Sequence, residues 1–568
     1  MIVRMKHLDL VCVSGEREKT LERLRSLGAV HLDLGSAGGA AVSAARGEIE
    51  EAEKAVRLVR KARGKGFSDE IRPRTVAEIL ALEADRETLT AEKERLEREI
   101  KTYAPYGDFD PELAKKLERA GIRLVLNADG SFAIGEEEAP PPAGVARVRL
   151  PEVRLSKLRE QLARVETRIG VDTAKLAGSD ERAILRRHPE LCARMEFEQA
   201  KELMASKGAV SVVSGWIPEP NAGELAAAAR ESGWGYLLRD PAEGEVPPSL
   251  ILPPKFVRPV KVLFEGLGIA PAYDEADVSV PFLCYFALFF AMLVGDGGYG
   301  AIIFALTLWG WRKFRRRGPA KDAKAVVMRS WLVLMTVFSL ATIGWGAISN
   351  TWFGAGLPCC ANWPTVKWLG DPSYKNMMFL CFTIGVSHLM LARIWNGISL
   401  INDRRCLGQF AWAGILFFMY WITNTIVGIF TGGIPAWLYV VFGLSFVTVF
   451  LQSKGIEKGM LFLNVMSTLG DVISYVRLFA VGLASVKVAE NFNNMALSIF
   501  NCTDLVWVKP VLAVFMALVL LFGHGLNFAM AGLSILVHAV RLNTLEFSNH
   551  KGISWAGYAF RPFKPAKE

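Results

Sequence analysis

The sequence predicts an α-helical membrane protein: eight transmembrane helices, the last two long and tilted, preceded by a cytoplasmic antiparallel coiled-coil arm with two small α/β lobes. Three observations carry this. From Val280 onward the apolar runs are long enough to span a bilayer. Before them, leucines recur at coiled-coil spacing on two charged segments. At both ends of that region, short strand-like and helix-like runs alternate. The length, 568 residues, already exceeds one soluble core, and 51% hydrophobic residues lean toward membrane.

The first half opens with a strand-like Met1–Val13, a helical Glu16–Leu27 closed by Gly28, and a strand over Ala29–Leu34. A second small unit has a strand at Val210–Ile217, a helix at Gly223–Ser232 and a strand at Gly235–Leu238. Between them, Leu82, Leu89, Leu96 and Tyr103 recur every seven residues, and Leu155, Leu158, Leu162, Val165 and Ile169 every three or four. A Pro- and Gly-containing stretch, Ala104–Pro151, separates the two seams, so the helices are expected to fold back as an antiparallel hairpin. Arg86 and Lys93 interrupt the seam where a strong dimer would be apolar. The expected division is a cytoplasmic domain over 1–277, with its α/β lobe at about 1–40 and 205–250, and a membrane domain over 278–568. The start of the chain reads as a strand and not as a signal peptide, so the first half is expected to stay in the cytoplasm.

Spans are expected near 280–295, 298–314, 328–349, 376–400, 409–430, 435–452, 462–500 and 505–547. Charge sets their orientation. The region from Ser279 onward carries 23 Lys and Arg against 10 Asp and Glu, so the basic excess lies among apolar spans and points to membrane topology instead of nucleic acid. The loop Arg312–Arg329 has eight basic residues and one Asp. Arg404, Arg405, Lys454, Lys458 and the tail residues Lys551, Arg561, Lys564 and Lys567 mark the other joints on that side. Gly295–Gly298 and Thr431–Pro435 carry no basic residue and should lie outside. Both termini are then cytoplasmic.

The last two spans carry the candidate chemistry. One helix over 462–500 would be about 58 Å long at about 1.5 Å per residue, against about 30 Å of hydrocarbon, so it must tilt or protrude. Arg477 and Arg541 lie well inside these runs, where a charge costs at least about 2.5–3.5 kcal/mol. His524, Asn527, Ala531, Ser534, His538 and Arg541 follow 3-4 spacing along one face of the last span, a stripe that suits water, an ion path or a polar partner. Ala480 and Ala484 share the face of Arg477 and permit close approach of another helix. Asp471 sits about 120° from Arg477 around an ideal helix, a poor private partner. The bland alternative is that both arginines merely bond carbonyls or hold the bundle together.

Other chemistry is not encoded. No G-x-x-x-x-G-K-[ST] loop is present, so direct nucleotide binding is not expected. The eight cysteines include no C-x-x-C, only the adjacent Cys359–Cys360, and read as small apolar packers. His188 reads as a solvated helix end. No cofactor or metal is expected.

Four segments resemble the V/A-type ATPase a/I subunit family, in its prokaryotic-type form. They are Ser474-Tyr-Val-Arg-Leu-Phe-Ala-Val-Gly-Leu-Ala484, His538-Ala-Val-Arg-Leu-Asn-Thr-Leu-Glu-Phe547, Met292-Leu-Val-Gly-Asp-Gly-Gly-Tyr-Gly300 and Gly215-Trp-Ile-Pro218. Their order matches along essentially the whole chain. The resemblance implies a stator subunit of a rotary ATPase or ATP synthase in a bacterial or archaeal cell membrane. It has a dumbbell-shaped cytoplasmic domain and two long tilted helices against a rotor ring. Arg477 and Arg541 would be the paired arginines that face rotor carboxylates and exchange H+ or Na+. Candidate half-channel residues are His538, Glu546, His524, Asn527, Ser534, Asp471 and Ser474, with Gly295, Asp296, Tyr299 and Gly300 forming a motif at the first outer turn. Implied partners are the rotor-ring proteolipid (c/K) subunits, peripheral-stalk E/G-type subunits, a central-stalk d/C-type subunit and lipid, with no nucleic acid. Ser485 and Ala531 depart from the eukaryotic-type pattern, where a histidine and an acid stand.

Two rivals predict something different. A secondary transporter could use midplane arginines for an anionic substrate, but internal repeats with broken helices in matching halves are not visible. A membrane-anchored scaffold would need the arm and not the polar stripe.

Overall fold

The structure, a computed structural model, describes residues 2–33, 39–64, 71–108, 110–127, 131–135, 147–316, 323–502, 505 and 507–565. The end of the expected Ala29–Leu34 strand and part of the basic loop Arg312–Arg329 lie outside these residues. Contacts divide the chain into two compact units, one of His7–Arg239 with Pro562–Glu568, the other of Met1–Lys6 with Asp240–Arg561.

In the first unit, β1 (Met5–Val13), α1 (Arg17–Leu27) and β2 (His31–Leu32) form one β-α-β element. Gly28 ends α1 in the left-handed region, φ 60°, and its N–H bonds the Leu24 carbonyl, the usual glycine stop. Then follow α2 (Ala40–Arg63), α3 (Val76–Tyr103), α4 (Pro111–Arg119), β3 (Arg123–Asn127), β4 (Phe132–Gly135), β5 (Arg147–Val148), α5 (Leu155–Ala177) and α6 (Glu181–Leu203). The unit closes with β6 (Ala205–Lys207), β7 (Val210–Pro218), α7 (Ala222–Ser232) and β8 (Gly235–Arg239).

The two short units read from the sequence share one sheet. Its order is β2-β7-β1-β8, with β6 beside β7, so the strands of one unit interleave with those of the other. Neither unit alone could bury its helix; together they enclose Leu8, Leu10, Leu21, Leu24, Val30, Ile217, Leu225 and Ala229. Gly215 is required where β7 crosses β2, because a Cβ there would lie 2.4 Å from the His31 carbonyl oxygen. The stretch 104–151 holds more than a turn: α4 and the small sheet β4-β3-β5 occupy it.

Helices α3 and α5 pack along Leu89, Leu96, Leu158 and Val165. Thr75 and Glu78 start α3 with a reciprocal capping box. The polar interruptions of the seam are paired: Arg86 to Glu83 at 2.5 Å, and Lys93 across to Glu166 at 2.7 Å. These hydrogen bonds raise both basic groups above their ordinary values. The chain's tail also belongs here, with Phe563 N–H donating to the Val30 carbonyl and its ring stacked on Phe197.

The second unit consists of α8 (Val260–Leu267), α9 (Ser279–Val294), α10 (Gly297–Arg316), α11 (Ala323–Ser349), α12 (Pro364–Leu369), α13 (Lys375–Ser399), α14 (Arg405–Ile426), α15 (Ala436–Gln452), α16 (Ile456–Ser474), α17 (Val476–Phe500) and α18 (Lys509–Ser534). Two π-helical segments, Ile535–Ala539 and Leu542–Phe547, and α19 (Ser548–Lys551) continue α18. Helices therefore stand at all eight positions read from hydropathy. Among the described residues, five are fit by length and composition to cross a membrane: 325–349, 375–399, 405–426, 456–500 and 509–551. Ser279–Val294 and Ala436–Gln452 are apolar but shorter. Gly297–Arg316 ends in Lys313, Arg315 and Arg316. The chain is a helical membrane protein.

Two expectations about the long helices need correction. The helix expected over 462–500 begins earlier, at Ile456, and is interrupted at Tyr475. The last run changes from α to π register within its final third instead of holding one helical period.

Close helix packing depends on glycine, as expected where lipid supplies no hydrophobic drive. A Cβ on Gly482 of α17 would lie 2.5 Å from the Met292 carbonyl oxygen of α9, and one on Gly300 of α10 would lie 2.9 Å from the Ile343 nitrogen of α11.

Candidate functional site

The site begins at the interruption between α16 and α17. Tyr475 N–H bonds the Val472 carbonyl and Leu478 N–H bonds the Tyr475 carbonyl, both three residues back. This tight turn diverts the usual i→i−4 pattern, and the Ser474 carbonyl accepts from Arg477 Nε instead, at 2.9 Å. The Ser474 hydroxyl caps the Asp471 carbonyl at 2.7 Å. Arg477 is thus aimed by its own helix, with Nη2 left to reach outward from it.

That nitrogen donates to Glu546 Oε1 at 2.7 Å. Arg541 Nε donates to the same oxygen at 3.3 Å. Glu546 has a side chain only 5% exposed, while Arg477 and Arg541 are 25% and 55% exposed. In an α-helix, residues 541 and 546 would point about 140° apart. The π turn over Leu542–Phe547 is wider and brings Glu546 under Arg541. The second carboxylate oxygen, Oε2, is buried and accepts no hydrogen bond among the described residues.

An aromatic column holds both sides of this cluster. His388 of α13 is fully buried, stacked on Tyr285 at 4.0 Å and on Phe547 at 4.5 Å. Its Nδ1 lies 2.9 Å from the hydroxyl of Tyr475. The Tyr475 ring sits against Gly385, where a Cβ would lie 2.4 Å from it. Tyr475 precedes Arg477 by two residues and Phe547 follows Glu546, so one column positions the arginine and the carboxylate together. A lone histidine in an apolar run gave no sign of this in the sequence.

The remaining candidates fall into separate groups. Toward the Lys509 end of the last helix, Tyr299 hydroxyl lies 2.8 Å from His524 Nδ1 and accepts from Asn527 Nδ2 at 3.0 Å. His524 Nε2 reaches Asn493 Oδ1 at 3.1 Å, and Asn527 Nδ2 also donates to the Ser485 carbonyl at 2.8 Å. Ser534 bonds the Met530 carbonyl of its own helix. His538 lies within electrostatic reach of both arginines, and its buried Nδ1 lacks a partner among the described residues.

Asp471 is not joined to Arg477. Its Oδ2 lies 3.1 Å from Nε2 of His550, whose Nδ1 accepts from Arg393 Nε at 3.0 Å. These three line an open polar cavity with Asn464, Ser467 and Thr468. Since Arg393 donates to Nδ1, the proton of a neutral His550 is on Nε2, facing Asp471. Neither Arg393 nor His550 was marked by the sequence reading.

Asp296 forms a buried knot at the α9–α10 turn. It accepts from the N–H groups of Gly298 at 2.7 Å, Phe353 at 2.8 Å and Gly354 at 2.7 Å. Gly295, at φ 69°, turns the chain there. Ala480 and Ala484 stay exposed on the face of α17 that bears Arg477.

Fold and site together define a helical membrane protein with a charged cluster set inside its two longest membrane helices. No family model matches the chain. Among curated proteins it is 29% identical, over 99% of its length and 100% of the relative's, to V-type ATP synthase subunit I 1 of Treponema pallidum. V-type ATP synthase subunit I of Borreliella burgdorferi is 30% identical over 66% of this chain and 63% of its own. A-type ATP synthase subunit I of Methanocaldococcus jannaschii is 25% identical over 74% and 64%. Over essentially its whole length the chain is therefore similar to proteins named V-type or A-type ATP synthase subunit I.

Proposed function

We propose that this chain is the membrane stator of a rotary V/A-type ATPase or ATP synthase, and that Arg477 and Arg541 exchange ions with the carboxylates of a rotor ring. The observation that carries this reading is the convergence of two arginines, from the two longest membrane helices, on one buried carboxylate oxygen. Charges that deep need a use, and both guanidinia keep an exposed edge.

Arginine stays protonated at any working pH. Opposite a rotor carboxylate it favours the ionised form, so the site gives up its proton or sodium ion. The ion leaves through one aqueous half-channel while the next rotor site loads from the other. The fixed cations between them block direct leakage. His524, Asn527 and Tyr299 line one path, and Asp471, with His550 and Arg393, the mouth of the other; Ser474 and His538 sit between. This chain performs no covalent catalysis and binds no nucleotide itself.

In this reading the membrane part crosses eight times, with both termini cytoplasmic. Packing of the tail residue Phe563 in the core of the first unit supports an even number of crossings, because the chain must return to the side it left. Residues 1–277 form the cytoplasmic arm, tied to peripheral-stalk E/G-type subunits and a central-stalk d/C-type subunit, and 278–568 the membrane part beside the proteolipid ring.

Isolation from native membrane in mild detergent tests the assembly. A small proteolipid and ATPase head subunits should co-migrate with the chain. A lone, monodisperse 62.6 kDa protein would favour the transporter reading.

A further inference from the structure

The bridging carboxylate does not follow from a need for positive charge, since Glu546 cancels half of what the arginines bring. We propose that Glu546 is a built-in counter-ion that trims the arginine pair to a net charge of +1, so that the site holds one ionised rotor carboxylate at a time and releases it. The inference rests on the stator reading above.

The geometry separates aiming from charge. One oxygen of Glu546 takes both guanidinia, while Oε2 is buried and accepts no hydrogen bond among the described residues. A residue needed only as an acceptor could be an amide. The carboxylate lies behind the arginines, 5% exposed, and so acts through them as a positioning and charge-setting residue. With it, one incoming carboxylate brings the cluster to neutrality. Without it, two positive charges would face that carboxylate in a medium where each unit charge counts for several-fold more than in water. Capture would strengthen and release would slow.

The charged and titratable groups around Glu546 come from several elements. Its own segment contributes Arg541 and His538, and His550 follows one turn on, close enough to interact electrostatically with it. Arg477 and Tyr475 come from the α16–α17 junction. On α13, His388 stacks on the neighbouring Phe547 and Arg393 lies beyond His550. Helix α9 carries no charged side chain.

The test uses the assembled complex in vesicles, with ATP-driven ion uptake measured across pH. Glu546→Gln keeps an oxygen to accept from both arginines and removes the charge. Uptake near neutral pH should fall about tenfold or more and recover partly as pH is lowered, because a carboxylate held too firmly needs more acid to reload. The double variant Glu546→Gln/Arg541→Gln returns the cluster to +1 and should shift the pH profile back toward that of the native complex. Where Glu546→Gln fails to assemble, Glu546→Asp, which keeps the charge, must assemble and pump with the native pH profile; loss of its pumping would overturn the proposal. A native rate and profile for Glu546→Gln, with Arg477→Ala inactive, would overturn this inference and leave the stator reading intact. Native uptake in both would overturn the stator reading itself.

Discussion

Arg477→Ala is expected to abolish ATP-driven ion uptake, a loss of about 100-fold or more, while the complex stays assembled. Removing one partner of a buried ion pair usually costs about 3–5 kcal/mol, because the other charge is left stranded. Here Glu546 keeps Arg541 at 3.3 Å, so its charge remains compensated. The side chain of Arg477 fills no packed core, being 25% exposed. The fault should therefore lie in exchange and not in folding. Arg477→Lys should be strongly impaired as well. A lysine is a point charge without the planar fork, and cannot bond the Ser474 carbonyl and Glu546 in the same geometry. Uptake by reconstituted vesicles, with subunit content read from the same preparation, measures both. Native uptake by an assembled Arg477→Ala complex would refute the mechanism; loss of assembly would favour a purely structural role for the arginine.

Asp296→Ala should do the opposite, and destroy the fold before any exchange can be measured. Its carboxylate satisfies three backbone N–H groups, and the residue is fully buried. Each donor left unmatched costs about 1–3 kcal/mol, and three together approach the total margin of about 5–15 kcal/mol for a folded domain. The knot ties the α9–α10 turn to the segment at Phe353 and Gly354, which packs directly on α17: a Cβ on Gly354 would lie 2.7 Å from Ala489. The expected result is a sharp fall in the amount of chain recovered from membranes and rapid proteolysis within 350–356. Asp296→Asn keeps one acceptor oxygen and should be milder. Full recovery and native protease resistance of Asp296→Ala would show that the knot is dispensable.

Hydropathy was enough to find the helices of the second unit, five of which, among the described residues, are long and apolar enough to cross a membrane, because their runs are bounded by charged or glycine-rich joints. The seam of α3 and α5 was readable for the same reason: Leu89, Leu96, Leu158 and Val165 keep a helical period. What escaped depends on contacts remote in the chain or on departures from ideal geometry. The interleaving of β2, β7, β1 and β8 pairs residues some 200 positions apart, as Leu10 with Tyr236. Glu546 was named as a family position, but its seat under Arg541 could not be derived from an α-helical wheel; only the π turn puts it there. The wheel correctly kept Asp471 away from Arg477, yet gave no hint of His550 and Arg393 as its neighbours. The column of Tyr285, His388 and Phe547 joins three helices through stacking, which leaves no periodic trace.

The claim that Arg477 faces a rotor ring is tested most directly by crosslinking along its own face of α17. Ala484 is exposed there, two turns beyond Arg477. In the active complex, a cysteine replacing Ala484 should form a disulfide with a cysteine placed beside the ring carboxylate of the proteolipid, and ATP turnover should stop when it forms. The same proteolipid should not be captured by a cysteine at Leu407, which is exposed on α14. Capture at Leu407 and none at Ala484, in a complex that still pumps, would contradict the account.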